Sequence, residues 1–474
     1  MQLAGLVAAG WLTATSPVWA HAFDERHDLP VPLGYFIAGA VLAVGLSFVV
    51  VAVFAWISRN RPAKAPRSLV IATGTLFPML RKIFQPLSVV VYFLILVAAF
   101  RGTANPMMNL APSAVWIAWW VGGSMVAAFI GNVWPALDPW RALFDALGYL
   151  GRRAGCKALL NRPWPQKLSA WPAVALLLLW GACEVIYPLA AVPSRLGYAA
   201  VLWTGITLSG MFWFGRKTWQ QNGDVFAIYF EILGRFAPLS LATDGKTLVI
   251  RPHGNRLVES VPASMAIVAF ILAMLAIVLF DGILAGEAWA SLEQTLRGQF
   301  SGVMDANGYF AGSMGLLLVW LVFLFAYLAA CGMAAAIFGR RASVTTVARV
   351  IAPALVPIAV AYAVAHNFSA LVIQGQNLIP LLSDPLGAGW DILGTAAHRI
   401  NGTLIQPGTT WTVALCAIIT GHLMSVWLAH RASLNLCHDT RTAILACMPL
   451  TALMMAYTAI SLQIIAEPMV RFIP

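Results

Sequence analysis

Residues 261–286 read VPASMAIVAFILAMLAIVLFDGILAG. From Met265 to Phe280 no side chain carries a charge, and the run closes on Asp281. A surface helix of a soluble protein keeps one polar face, whereas a helix apolar all round is either buried in a large core or spans a bilayer. The rest of the chain decides between these. Nine further apolar segments repeat the pattern, near 33–56, 84–100, 113–133, 170–190, 196–214, 311–337, 350–373, 408–429 and 442–466. The segment at 84–100 is short and opens at Pro86. Over 474 residues the chain is 60% hydrophobic and 10% charged, with mean hydropathy +0.81. A soluble domain is about 25% charged, so this chain could not cover itself with polar groups in water. In lipid the apolar surface needs no cover, and helices satisfy their own backbone polarity. The expected fold is an all-α polytopic membrane protein of about ten transmembrane helices with short interfacial helices. It forms one transmembrane domain over residues 21–474, after a signal-like segment at 1–20.

That segment, MQLAGLVAAGWLTATSPVWA, has an apolar core from Leu3 to Leu12 and the small-residue pattern Val18-Trp19-Ala20. It resembles a cleavable secretory signal but lacks an early Lys or Arg; an uncleaved anchor is the other reading. Cleavage after Ala20 would leave His21 as the N-terminus.

The net charge of +11 suggests nucleic acid until the charges are placed. Six Lys or Arg lie between spans 1 and 2, six between 3 and 4, six between 5 and 6, three between 7 and 8 and two between 9 and 10. The other side holds only Arg26, Arg101, Arg195, Arg297, Arg399 and Arg471. Positive residues collect in cytoplasmic loops. The expectation is therefore an inner (plasma) membrane protein with both termini periplasmic, whose partner is the lipid bilayer and not nucleic acid. The cysteines form no CxxC pair, and most lie in apolar stretches as small core residues.

Two loops on the basic side look alike. Trp134 precedes Asp138, Asp145 and Gly148, and Trp219 precedes Asp224, Glu231 and Gly234, with the same spacing from first acid to glycine. Both read as amphipathic helices at the inner interface. Within the cytoplasmic loop 215–261, the turns at Asp244-Gly245 and His253-Gly254-Asn255 bracket a β-branched run, which predicts a small hairpin or extended loop. The periplasmic loop 374–407 has apolar runs too short to span, which either lie on the outer surface or dip back into the bundle.

Ionisable residues inside spans are costly and are candidate sites by default. They are Glu184, Asp281, His366 and His422, and the first three fall in the outer half. The same side holds His21, Asp24, His27, Asp28, Asp384, Asp391 and His398. Imidazole and carboxylate are ligands of zinc- or manganese-type hydrolytic sites. The candidate metal set is His366, His398, Asp281 and Asp384, with the N-terminal histidines closing over it. Interhelical hydrogen bonding is the competing account of the same residues. An exposed amine and ring at His21 could also chelate copper. No Ser-His-Asp motif, P-loop or dinucleotide fingerprint occurs in a credible context. Prolines in or beside spans 2, 4 and 8 keep a transporter in view, since broken helices mark many carriers.

Several blocks carry a family resemblance. They are Ala20-His21-Ala22-Phe23, Asn109 to Pro112 with Trp116, Trp119 and Trp120, Gly131-Asn132 with Trp134, Asp138-Pro139-Trp140-Arg141, Gly234-Arg235-Phe236-Ala237-Pro238, Phe280-Asp281-Gly282, Ala365-His366, Gln374-Gly375-Gln376, and Ser383-Asp384-Pro385 with Trp390-Asp391. Over nearly its whole length the chain resembles bacterial polytopic membrane proteins named fenitrothion hydrolases. The resemblance implies hydrolysis of an apolar phosphotriester small molecule, with water attacking phosphorus and a phenolate leaving. A divalent metal, zinc or manganese, would lower the pKa of bound water, and Asp281 or Asp391 would act as general base. The alternative is a transporter or metal-handling membrane protein.

Overall fold

A computed structural model describes residues 33–58, 68–155, 160–242, 244–259, 262–300, 308–339, 342–437 and 439–466. The signal-like segment, His21, Asp24, His27 and Asp28 lie outside them.

The chain is built from helices that bury themselves to different degrees. They are α1 (Leu33–Ser58), α2 (Leu76–Arg101), α3 (Leu110–Phe129), α4 (Pro139–Arg153), α5 (Trp171–Val185), α6 (Pro193–Phe214) and α7 (Val225–Phe236). They continue with α8 (Met265–Ala285), α9 (Glu287–Gln299), α10 (Tyr309–Phe338), α11 (Val344–Ser383), α12 (Pro407–Leu436) and α13 (Thr440–Ala466). Among the described residues nine are long and apolar enough to cross a membrane. The tenth expected span is α5, only 15 residues long. The protein is a polytopic all-α membrane protein.

The opening stretch, α8, is the centre of the bundle. The most apolar part of α8 is 72% buried, against 11% for α1. Helix α8 packs on α5, α10 and α11, while α1 packs on α12 and α13 and turns Leu42, Leu46, Val53 and Phe54 outward. Both are apolar all round, but only α8 is surrounded by protein; the outward face of α1 has lipid as its solvent. Glycine sets two close approaches. A Cβ on Gly181 of α5 would strike Ile277 of α8, and one on Gly421 of α12 would strike Ala361 and the Pro357 carbonyl of α11. Small residues let transmembrane backbones come this close.

Three helices are irregular. Helix α2 begins at Leu76 and runs through Pro86, although the proline suggested a start there. Helix α3 is a π-helix from Ser113 to Gly122. Helix α11 passes through 3₁₀ turns at Ala352–Leu355 and Gln374–Asn377. Its 40 residues would reach about 60 Å if straight, twice a bilayer core of about 30 Å, so only the middle, Val356–Ile373, need lie in lipid.

On the face carrying the basic loops, the expected hairpin forms from β2 (Leu239–Leu241) and β3 (Thr247–Ile250), with Asp244 accepting the Lys246 and Thr247 backbone N–H groups in the turn. A third strand, β1 (Leu69–Ala72), pairs antiparallel with the other edge of β3 and was not foreseen. On the opposite face, the start of the 374–407 segment continues α11. The remainder lies on the surface against the turn after α2, with Thr103 and Leu110 N–H donating to Leu386 and Pro385 carbonyls at 2.8 and 3.0 Å.

The two similar loops end differently. Asp138 caps α4 by accepting the Arg141 N–H, and Asp224 caps α7 by accepting the Phe226 and Ala227 N–H groups. The shared spacing is therefore a shared capping device. Helix α4 has a solvent-exposed side, as an interfacial helix should. Helix α7 instead inserts into the bundle with Phe226, Ile228, Phe230, Ile232, Leu233 and Phe236 buried. Its apolar residues surround the axis, so a position flat on the interface would have left half of them in water.

Candidate functional site

Three of the four ionisable residues singled out in the spans meet. Asp281 of α8 and His366 of α11 are in contact, Oδ2 to Nε2, at 2.5 Å. Asp281 is buried, and Glu184 of α5 lines the same cavity of about 60 Å³. A water molecule needs roughly 10–15 Å³ of such space, so a few waters fit. The cavity is too small for a drug-sized ligand, whose pockets run to about 300–1,000 Å³.

The π-helix in α3 positions the polar partners. A wider turn brings Trp116 and Trp120 onto the side facing α5, where both rings pack on Trp180, with centroids 5.0 and 5.4 Å away. Trp120 Nε1 donates to Glu184 Oε1 at 2.6 Å, and Trp116 Nε1 to the Ala190 carbonyl at 3.0 Å. π-Helical segments are rare and concentrate at functional sites. Tyr229 reaches the cavity from α7, stacked on Trp120 at 4.7 Å with its hydroxyl 3.4 Å from Ser124 Oγ. Sequence reading missed Trp120 and Tyr229. The density of tryptophans at 116–120 was the available signal for the first, and nothing local announced the second, because the insertion of α7 brings it there.

The candidate metal set does not assemble. Neither Asp384 nor His398 lines the cavity of Asp281 and His366. Asp384 accepts the Ala388 and Gly389 N–H groups at 2.9 and 2.7 Å, and Asp391 accepts from Ser383 Oγ and the Ala396 N–H. Hydrogen bonds to the charged form, chiefly the Ala396 N–H, hold the Asp391 carboxyl below its usual range. These oxygens organise a surface loop. Among the described residues no three His, Cys, Asp or Glu side chains gather as a metal site. The proposed copper ligand His21 lies outside the described residues. His422 is buried in α12 with Nδ1 2.8 Å from the Ile418 carbonyl, away from the cluster.

A second, larger cavity of about 780 Å³ opens on the basic face. Helix α7 is the wall between the two. Ala227, Ile228, Glu231, Ile232 and Arg235 face the large cavity, and Tyr229 the small one. Phe226 of α7 packs among tryptophans, with ring centroids 4.6 Å from Trp119, 4.7 Å from Trp203 and 5.1 Å from Trp180. No protein-family model matches the chain, and neither a curated protein nor a solved structure does.

Proposed function

We propose that the chain is a membrane transport protein that moves protons through an intramembrane site made of Glu184, Asp281 and His366. It lies in the bacterial inner membrane, with the basic face cytoplasmic and both termini periplasmic. The orientation rests on the placement of Lys and Arg. The observation that carries the reading is the Asp281–His366 contact inside the bundle, beside a cavity that admits water and shares Glu184. An unpaired charge there would be expensive, and intramembrane carboxylate–histidine chains are the apparatus of proton relays. A proton can reside on the imidazole or on either carboxyl, and water links the groups. Helix α7 stands between this site and the large cavity, as alternating access requires a closed side.

A second reading is favoured by the same contact. A carboxylate against an imidazole also orients a general base, as the expected phosphotriester hydrolase needs, with an apolar substrate arriving from the lipid. Reconstitution tests both. Proteoliposomes holding a pH-sensitive dye are given a potential, and nitrophenolate release from a phosphotriester is followed in parallel. The transport reading expects dye response in wild type and at least a tenfold loss in Asp281→Asn and His366→Gln. No response in wild type sinks it. Nitrophenolate release that the same substitutions abolish would establish the second.

A further inference from the structure

The large cavity on the basic face is lined by a guanidinium whose buried nitrogen makes no hydrogen bond among the described residues. Arg141, on the first turn of α4, lines it. Its Nε is buried and has no hydrogen-bond partner among the described residues. The two carboxylates near it are engaged elsewhere. Asp138 accepts from the backbone N–H of Arg141 and from Gln220 Nε2 at 2.7 Å, and Asp145 pairs with Arg216. The one carboxylate that lines this cavity, Glu231, is taken by Arg235 at 3.1 Å and Asn132 at 3.1 Å, with Arg256 at 3.8 Å. Burial first, and then the neighbouring Arg81 and Arg216, pull the Arg141 guanidinium down to about 10, with the charges of Asp138 and Asp145 opposing.

The remaining lining has two characters. Gln220, Gln221 and Asn222 offer amides near Arg141, and Ile228, Ile267 and Ile271 offer an apolar wall. The volume is that of a small-molecule site. We propose that this cavity binds a small organic anion, a carboxylate or phosphate ester with an apolar body, its charged end on Arg141 and its body against Ile267 and Ile271. A guanidinium suits either head group through paired N–H donors. The inference is independent of the proton site, because it involves none of Glu184, Asp281 and His366.

The test uses the full chain in phosphatidylcholine nanodiscs, titrated calorimetrically with hexanoate and with hexyl phosphate. Saturable binding is expected, weakened at least tenfold by Arg141→Gln and less by Arg141→Lys. Ile267→Trp, which fills the apolar side without touching the charge, should also abolish binding, and circular dichroism checks that each variant is folded. Hexylammonium should not bind. Repeating the titration with phosphatidylglycerol in the disc separates the sources. Competition would identify a lipid head group as the resident anion, and its absence a soluble one. Absence of saturable binding, unchanged affinity in both Arg141→Gln and Ile267→Trp, or equal binding of hexylammonium overturns the proposal.

Discussion

Asp224→Asn should make the protein more stable at pH 8 and leave it little changed at pH 4. Asp224 is fully buried at the N-terminus of α7, where Oδ1 accepts two backbone N–H groups and Oδ2 has no partner among the described residues. Burial first, and then the charge of Asp138, push its carboxyl up from the ordinary 3.8 to about 7. Asp138 is likewise raised by burial to about 6, with Arg141 and Gln220 opposing. A folded pKa above the unfolded one means the folded state holds more protons. That stability is fully present below about pH 4 and is lost as pH rises toward 7. A gap of about 3 in pKa corresponds to about 4 kcal/mol for Asp224 at 1.36 kcal/mol each, an upper figure because the two carboxyls titrate together. Asparagine caps a helix as well as aspartate does and carries no charge. It should therefore remove most of the decline between pH 5 and 8. Asp224→Ala removes the charge and the cap together, so it should fall below Asp224→Asn by about 1 kcal/mol at every pH. The assay is thermal unfolding in a neutral detergent from pH 4 to 8.5. Equal pH slopes for wild type and Asp224→Asn, or a rise in wild-type stability across this window, would refute the argument.

Four other expectations follow from single contacts. Trp120→Phe keeps the stacked ring but withdraws the Nε1 donor from Glu184; a bond to a charged group is worth about 1.5–3 kcal/mol, so the pH profile of proton uptake in liposomes should move while the fold survives. Gly181→Val forces a side chain into Ile277. Such overpacking costs about 1–3 kcal/mol, and thermal unfolding should show it together with lost activity as α5 carries Glu184 away from Asp281. Asp384→Asn keeps an acceptor for the Ala388 and Gly389 N–H groups, so activity should be retained within twofold; a large loss would return Asp384 to the site. Arg216→Ala should alter stability by no more than about 1 kcal/mol, because its partner Asp145 is half exposed.

The sequence alone determined the solvent. Residues 265–280 carry no charge, and nine other segments are apolar enough to read in the same way; that property is local, so composition reads it. It also picked Glu184, Asp281 and His366, since an ionisable group in lipid is conspicuous by itself. It could not say which of those groups meet. Asp384 and His398 shared a side of the membrane with Asp281 and His366 but not a cavity, because depth is one coordinate and a site needs three. The capping aspartates showed as a repeated spacing, yet the spacing was the same whether the helix that followed lay on the surface, as α4 does, or entered the bundle, as α7 does. Only the packed bundle decided that Tyr229 reaches Glu184's cavity, that Arg141 Nε is left without a hydrogen-bond partner among the described residues, and that α8 is enclosed while the equally apolar α1 faces lipid. Helix neighbours in a membrane are chosen by shape and by the few glycines that let backbones approach, and a hydropathy pattern carries neither.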